Sequence, residues 1–260
     1  MKNEIKYVAE SILKDAAGRG VLNAIVPVSW KDLNDSQLRY VFYLLSENYP
    51  KEKVMQLALL NLGMVRNSAG RYVSLSLYSR FISAESLAAE AKKMEYLTTI
   101  PDYPVRLSRI GNRDATDAYC ETLSFESYLA IDNYFVGFLN TKNTDLLYVI
   151  SGYLYPDKET AGNPIDPDMF GGKEAVNTLV WWTGLKNRLN REYPYIMTAA
   201  PVEGEGVPAP TYQDLRDNMD RMLFALTGGD PTKEKAVLAM PYRRALAYLN
   251  EIARKAKEKK

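Results

Sequence analysis

Two absences govern what the side chains of this sequence can do. It contains no histidine, and its only cysteine is Cys120. A Ser-His-Asp or Cys-His nucleophile, a histidine-ligated metal and a histidine proton relay are therefore excluded within one chain. A lone cysteine makes no intrachain disulfide, which suits a reducing compartment. What remains is a set of incomplete motifs. Gly171-Gly172-Lys173 matches the end of a phosphate-binding loop, but Pro167 stands where the first glycine belongs and Glu174 where Ser or Thr would hold magnesium. Asp157, Glu159, Gly162 and Asp168 fall at positions 1, 3, 6 and 12 of a calcium loop. Ala161 and Pro164 break that pattern, and Asp168 is shorter than the usual bidentate glutamate. Asp114 and Asp117 are paired carboxylates at i, i+3, a pair that can run glycoside or metal chemistry without histidine. No aromatic-lined site surrounds them in the sequence, so they read as solvated charge. No G-x-G-x-x-G occurs. No catalytic, cofactor or metal-ligating residue is assigned, and the expectation is a non-enzyme without a cofactor.

The aromatic residues carry more information. Tyrosines outnumber phenylalanines 19 to 7. A tyrosine suits half-buried positions at the edge of a core, and it also suits protein–protein surfaces. Trp181 and Trp182 are adjacent in a helical stretch, so their side chains diverge by about 100°. One indole is expected in the core and the other is left for a domain or partner contact. Trp30, Trp181, Trp182 and Tyr193 are the candidate interface residues. From Pro241 onward the chain is basic, and Arg254, Lys255, Lys257, Lys259 and Lys260 form a candidate basic tail. Cations at a helix C-terminus complement the macrodipole. A nucleic acid or acidic partner is the alternative, and no aromatics interleave with these cations in the sequence, which argues against single-strand binding.

The elements that must position these residues are mostly helical. Ile5, Val8, Ile12, Leu13 and Ala16 share one helical face, and Gly18-Arg19-Gly20 stops it. Asn34 with Gln37 is a capping-box signature ahead of the stripe Leu38, Val41, Phe42 and Leu45. Pro50 to Gly63 frames a second helix over Val54, Leu57, Ala58 and Leu62. After the turn residues 67–70, Val73, Leu75 and Leu77 alternate with serines, which predicts a strand and a short hairpin near 71–79. A helix follows from Ser83 to about Leu97, then a connecting segment over 98–117. Ser124 caps a helix carrying Tyr128, Ile131, Phe135 and Phe138, and Thr141-Lys142-Asn143 breaks it before an antiparallel neighbour over 145–155. Residues 156–172 read as a long loop, 173–193 as a long helix, and 199–210 as a Pro/Gly linker. Thr211 caps a helix over Leu215, Met219, Met222, Leu223 and Leu226 that ends at Gly228-Gly229, Asp230-Pro231 restarts with a cap and an N1 proline, and the last helix begins near Pro241 with Ala245, Leu246, Leu249 and Ile252. The fold expected is mainly α, about nine helices with one short hairpin. The regions expected are 1–117, 118–198 and 211–260.

The 260 residues are 47% hydrophobic and 25% charged, with 33 Lys and Arg against 32 Asp and Glu. That balance gives no global field toward nucleic acid or an anionic membrane. No run approaches the ~18 apolar residues of a membrane span, and the N-terminus places charge where a signal peptide has its apolar core.

Three segments resemble a known group of sequences. Pro27-Val28-Ser29-Trp30-Lys31-Asp32-Leu33 followed by Gln37-Leu38, Trp182-Thr183-Gly184-Leu185-Lys186 running on to Leu189 and Tyr193-Pro194, and Met222 to Asp230 are similar to stretches of uncharacterised tailed-phage and prophage proteins of Bacteroidetes-type genomes. Together they touch about a fifth of the chain, and none is a catalytic signature. The resemblance implies a structural or assembly protein of the virion (tail, neck or packaged component), made in the host bacterial cytoplasm and then carried in the virion. Its partners would be other virion or assembly proteins, or further copies of itself in an oligomer. A histidine-independent enzyme using Asp, Glu, Tyr or Lys, and an adaptor touching nucleic acid through the basic tail, are the alternatives.

Overall fold

The computed structural model describes residues 24–66, 71–157, 163–196 and 212–258. Among them are nine α-helices, several short 3-10 turns and two small antiparallel hairpins. The fold is mainly α. The helix expected over residues 5–16 and the linker over 199–210 lie outside the described residues. The chain divides into two compact units, 1–101 and 102–260.

In the first unit, α1 (Asp35–Ser46) begins at the expected capping box. The Asn34 side chain accepts from the Gln37 N–H at 3.0 Å, and the Gln37 side chain accepts from the Asn34 N–H at 2.9 Å. Helix α2 (Lys51–Leu62) packs against α1 and against α3 (Ala84–Ala91), burying Val54, Ala58, Leu59 and Leu62. Gly63 is the C-cap of α2, and a Cβ there would stand 2.4 Å from the Leu59 carbonyl oxygen. Strand β1 (Met64–Arg66) pairs with β2 (Tyr72–Ser74), so the hairpin lies earlier than the expected 71–79. The strand is shorter than expected. Leu75 and Leu77 belong to a 3-10 helix, Leu75–Phe81, with Leu75 fully buried. A third short segment joins the hairpin through Ile25, whose N–H and C=O exchange bonds with Met64 at 2.8 and 2.9 Å.

The second unit holds α4 (Phe125–Thr141), α5 (Asp145–Leu154), α6 (Gly172–Glu192), α7 (Tyr212–Thr227), α8 (Glu234–Ala239) and α9 (Tyr242–Glu258). Helices α4 and α5 pack as an antiparallel pair about a reversal at Lys142, held in the left-handed region at φ 57°. One core runs through α4, α5, α6, α8 and α9, with the half-buried Met219, Met222 and Leu223 of α7 packed on it. The regions 118–198 and 212–258 therefore share a core, and residues 102–117 join them through Ile110 and Leu107. The N-termini of α4 and α9 are tied by backbone bonds from Phe125 N–H to Met240 O (2.8 Å) and Tyr242 N–H to Leu123 O (3.0 Å).

The segment 98–117 is more structured than its lack of period predicts. Strands β3 (Arg109–Ile110) and β4 (Arg113–Asp114) form a hairpin around Gly111-Asn112. Gly111 sits at φ 56° with Met169 packed on its bare α-carbon side, where a Cβ would meet the sulfur at 2.1 Å. Two-residue strands are too short to show alternation, though the Gly-Asn turn dipeptide is a readable signal.

Candidate functional site

The expected interface tryptophans are core residues. Trp181 and Trp182 are both fully buried, and Trp30 is 5% exposed. The expectation that one indole of the pair stays free is corrected: α6 is covered on a broad arc, and Ala175, Val180, Trp181, Trp182, Leu185 and Leu189 are all inside. Trp181 donates from Nε1 to the Ala118 carbonyl at 2.8 Å and meets Tyr155 edge to face at 5.5 Å. Trp182 lies 5.8 Å from the ring of Tyr128, and its Nε1 is buried without a partner. Trp30 stacks on Phe42 at 6.0 Å and donates to the Tyr96 and Thr99 carbonyls at 3.0 and 3.2 Å. Tyr193 is half-buried, its hydroxyl donating to the Arg243 carbonyl at 3.3 Å.

Around Tyr128 the core carries its polar groups. The Tyr128 ring stacks on Tyr242 at 5.0 Å, and its hydroxyl accepts from Lys186 Nζ at 3.3 Å. Lys186 also pairs with Asp132 at 2.7 Å. Burial works against the Lys186 charge, but Asp132 and Tyr128 outweigh it and hold the ammonium above its ordinary value. Burial pushes the Tyr128 phenol up to about 12, with Lys186 pulling the other way. A lysine held so firmly protonated, beside a phenol held neutral, ties helices together and is poorly placed to act as base or nucleophile. A second buried triangle fastens residues 105–107: Leu107 N–H donates to Asn177 Oδ1 (2.8 Å), Asn177 Nδ2 to Tyr155 OH (2.9 Å), and Tyr155 OH to Leu107 O (3.0 Å).

The incomplete motifs serve local structure. Gly171-Gly172-Lys173 opens α6, and the buried Glu174 carboxylate caps it by accepting from the Gly171 N–H at 3.1 Å. A cleft of about 390 Å³ lies there between the N-termini of α5 and α6, lined by Asp145, Tyr148, Phe170 and Gly172 among others. The Asp145 and Glu174 carboxylates at these two helix starts already answer the dipoles that would attract a phosphate. A second cleft, about 330 Å³, is lined by Asn133, Leu215, Arg216 and Met219. Neither cleft is lined by Lys186, Asp132 or Tyr128. Of the calcium-loop positions, Asp157 faces Arg113 at 3.7 Å and Asp168 sits in a 3-10 turn capped by Asp166, while Glu159 and Gly162 lie outside the described residues. Among the described residues no group of three or more Cys, Asp or Glu is placed to hold a metal ion. Asp114 pairs with Arg109 at 2.7 Å, and Asp117 accepts from the Tyr119 and Glu121 N–H groups.

The described stretch 163–172 of the long loop is anchored. Arg113 donates to the Asn163 carbonyl at 2.7 Å, Met169 packs on Gly111, and Tyr148 OH donates to the Ile165 carbonyl at 2.5 Å.

The basic tail looks different once folded. Arg254 pairs with Glu251 and Glu258, and Lys255 with Glu251, all within α9; Lys259 and Lys260 lie outside the described residues. Of the tail cations, Lys257 meets an aromatic ring brought from elsewhere in the chain, its Nζ standing 5.8 Å from the Tyr195 ring. Earlier in α9, Arg244 lies 5.6 Å from Tyr248 one turn on in the same helix, and on α6 Arg188 lies 4.6 Å from Tyr119.

No helix among the described residues is long and apolar enough to cross a membrane. Compared with known proteins, the chain matches no family model, no curated protein and no solved structure.

Proposed function

We propose that the chain acts without chemistry of its own, as a structural or assembly protein that works by protein–protein contact, in the setting of a tailed-phage virion assembled in a bacterial cytoplasm. One observation carries the contact reading. The small sheet of the first unit turns an apolar face outward: Ile25, Met64 and Tyr72 are 55%, 42% and 53% exposed, while Val65 on the opposite face is buried. Ile25 and Met64 are directly opposite each other, and Tyr72 is one diagonal step away, so the three form one patch. A contiguous patch of this kind marks a contact surface.

On the Ile25 side the Ala24 N–H is held by Glu90 Oε1 at 3.2 Å and its carbonyl accepts from Lys93, so that part of the edge is already occupied. The register places Arg66 opposite Tyr72 at one end of this face, and Ile25, Met64 and Ser74 bring no charge at the other, so the occupant argued for is a second copy of this chain, packed through Ile25 and Met64. Light scattering at micromolar concentration tests it. A discrete multimer is expected for the native chain and a monomer of unchanged melting temperature for the Ile25→Ser, Met64→Ser variant. A monomeric native chain overturns the self-contact.

A further inference from the structure

The cleft between the N-termini of α5 and α6 has a volume of about 390 Å³, within the range of small-ligand pockets. Its walls are largely apolar. Tyr148 and Phe170 line it edge to face, with ring centroids 5.2 Å apart and planes at 66°, and Pro167 and the buried Ala175 stand beside them. Among the described residues, Asp145 is the one charged group in the lining, and its carboxylate has no hydrogen-bond or ion-pair partner. Other acids singled out in the sequence are taken: Asp114 by Arg109, Asp132 by Lys186 and Asp157 by Arg113.

The first-turn amides of α5 do not claim that carboxylate. The Asp145 N–H donates to Asn143 Oδ1 at 3.0 Å, and the Leu146 and Leu147 N–H groups donate to the Asn143 and Thr144 carbonyls at 3.2 and 3.0 Å. On α6 the Glu174 carboxylate is occupied by the Gly171 N–H, and the neighbouring Lys173 faces that same carboxylate at 3.7 Å. A negative charge therefore stands unanswered beside two aromatic rings. A carboxylate attracts a cation by its full charge, and a ring face attracts one through its quadrupole.

The spent polar groups narrow the class of cation. A primary ammonium carries three N–H donors, each of which needs an acceptor when it leaves water. Here the Thr144 carbonyl already accepts from the Leu147 and Tyr148 N–H groups, and the Gly171 carbonyl accepts from Ala175. A methylated ammonium keeps the charge, presents an apolar surface to the rings and has few N–H groups or none to satisfy. We propose that this cleft binds a small methylated ammonium, its charge against Asp145 and its methyl groups on Tyr148 and Phe170. The site lies within the second unit and is independent of the strand-face contact of the first.

The test is calorimetric titration of the full chain with choline, with its uncharged carbon isostere dimethylbutanol, and with ethanolamine, which has the same skeleton without the methyl groups. Choline should bind at least about tenfold more tightly than the isostere, and more tightly than ethanolamine. Asp145→Asn should bring choline and the isostere to similar affinities. Phe170→Leu should weaken choline binding about fivefold. An unchanged melting temperature and circular dichroism spectrum certify the fold of both variants, and the three-ligand comparison on the native chain decides by itself if a variant fails to fold. Absence of choline binding up to about 10 mM overturns the proposal. So does an isostere that binds as well as choline, which is apolar partition only, or an ethanolamine that binds as tightly. Choline affinity left unchanged by Asp145→Asn overturns it too.

Discussion

The rings of Tyr128 on α4 and Tyr242 at the start of α9 lie 5.0 Å apart and 8° from parallel, both buried. This stack joins two helices far apart in the chain. Above it Tyr128 meets Phe125 and Trp182, and below it the Tyr242 hydroxyl donates to the Tyr119 carbonyl at 2.6 Å. Tyr242→Ala should cost about 3–5 kcal/mol, the range for emptying a buried aromatic site. Tyr242→Phe keeps the ring and loses the bond, for about 0.5–1.5 kcal/mol. Urea denaturation of both variants separates stacking from hydrogen bonding.

The two indoles of α6 should respond differently to the same change. Trp181→Phe removes a donor bonded to Ala118, whereas Trp182→Phe removes a buried donor with no partner. The first should therefore be the more destabilising, by about 1 kcal/mol. Trp182→Ala should lower melting temperature and any assembly together. Loss of assembly at full stability would instead place that indole at a partner surface.

Alkaline pH should weaken the fold before it weakens the pairs of α9. Burial pushes the Cys120 thiol up to about 12 and the Tyr128 phenol likewise to about 12. In the unfolded chain the same groups ionise near their ordinary values, about 8.5 and 10. Their contribution to stability is then complete below about pH 8.5 and is lost as the pH rises toward 12, because only the unfolded chain gives up these protons in between. The urea midpoint should fall between about pH 8 and pH 11, and Cys120 should react with a thiol reagent only on unfolding. A Cys120 that reacts at once in the native chain contradicts its burial.

At the acid end the exposed pairs of α9 should persist. The hydrogen bond from Arg254 holds the Glu251 carboxyl down to about 2, against an ordinary value of about 4.3. The favourable pairing is present above the ordinary value and is lost only as the pH falls through about 2. Carboxylate titration followed by NMR checks this, and an unshifted Glu251 refutes the pairing.

The Asn177 triangle offers a local test. Asn177→Ala leaves the Leu107 N–H and the Tyr155 hydroxyl without their bonds to it in a buried site, for about 1–3 kcal/mol. Amide exchange at Leu107 should accelerate more than at Phe42 of the first unit.

Much of the helical scaffold was legible in the chain. Asn34 with Gln37 and the serine caps at 83 and 124 are local, because a side-chain oxygen reaches an N–H three residues on. Gly228 and Gly229, at φ 67° and 83°, end α7 where only glycine turns freely. Residues 75–81 misled because alternation over a few residues also fits a 3-10 turn, and Leu75 is buried by tertiary packing rather than by a sheet. The β3–β4 hairpin escaped because its strands are two residues each.

The sites were less legible than the scaffold. Spacing along a helix says that Trp181 and Trp182 diverge, but it does not say how much of the helix circumference is covered. That depends on how many neighbours α6 has, and it has them on both indole sides. The same holds for the basic tail, where Lys257 meets a ring that arrives from position 195. By itself the sequence determined the helices, their caps and the catalytic groups this chain lacks, since periodicity, capping and composition are properties of neighbouring residues or of none. Burial and the meeting of distant charges and rings were decided only by the tertiary structure, because each depends on which surfaces the rest of the chain covers.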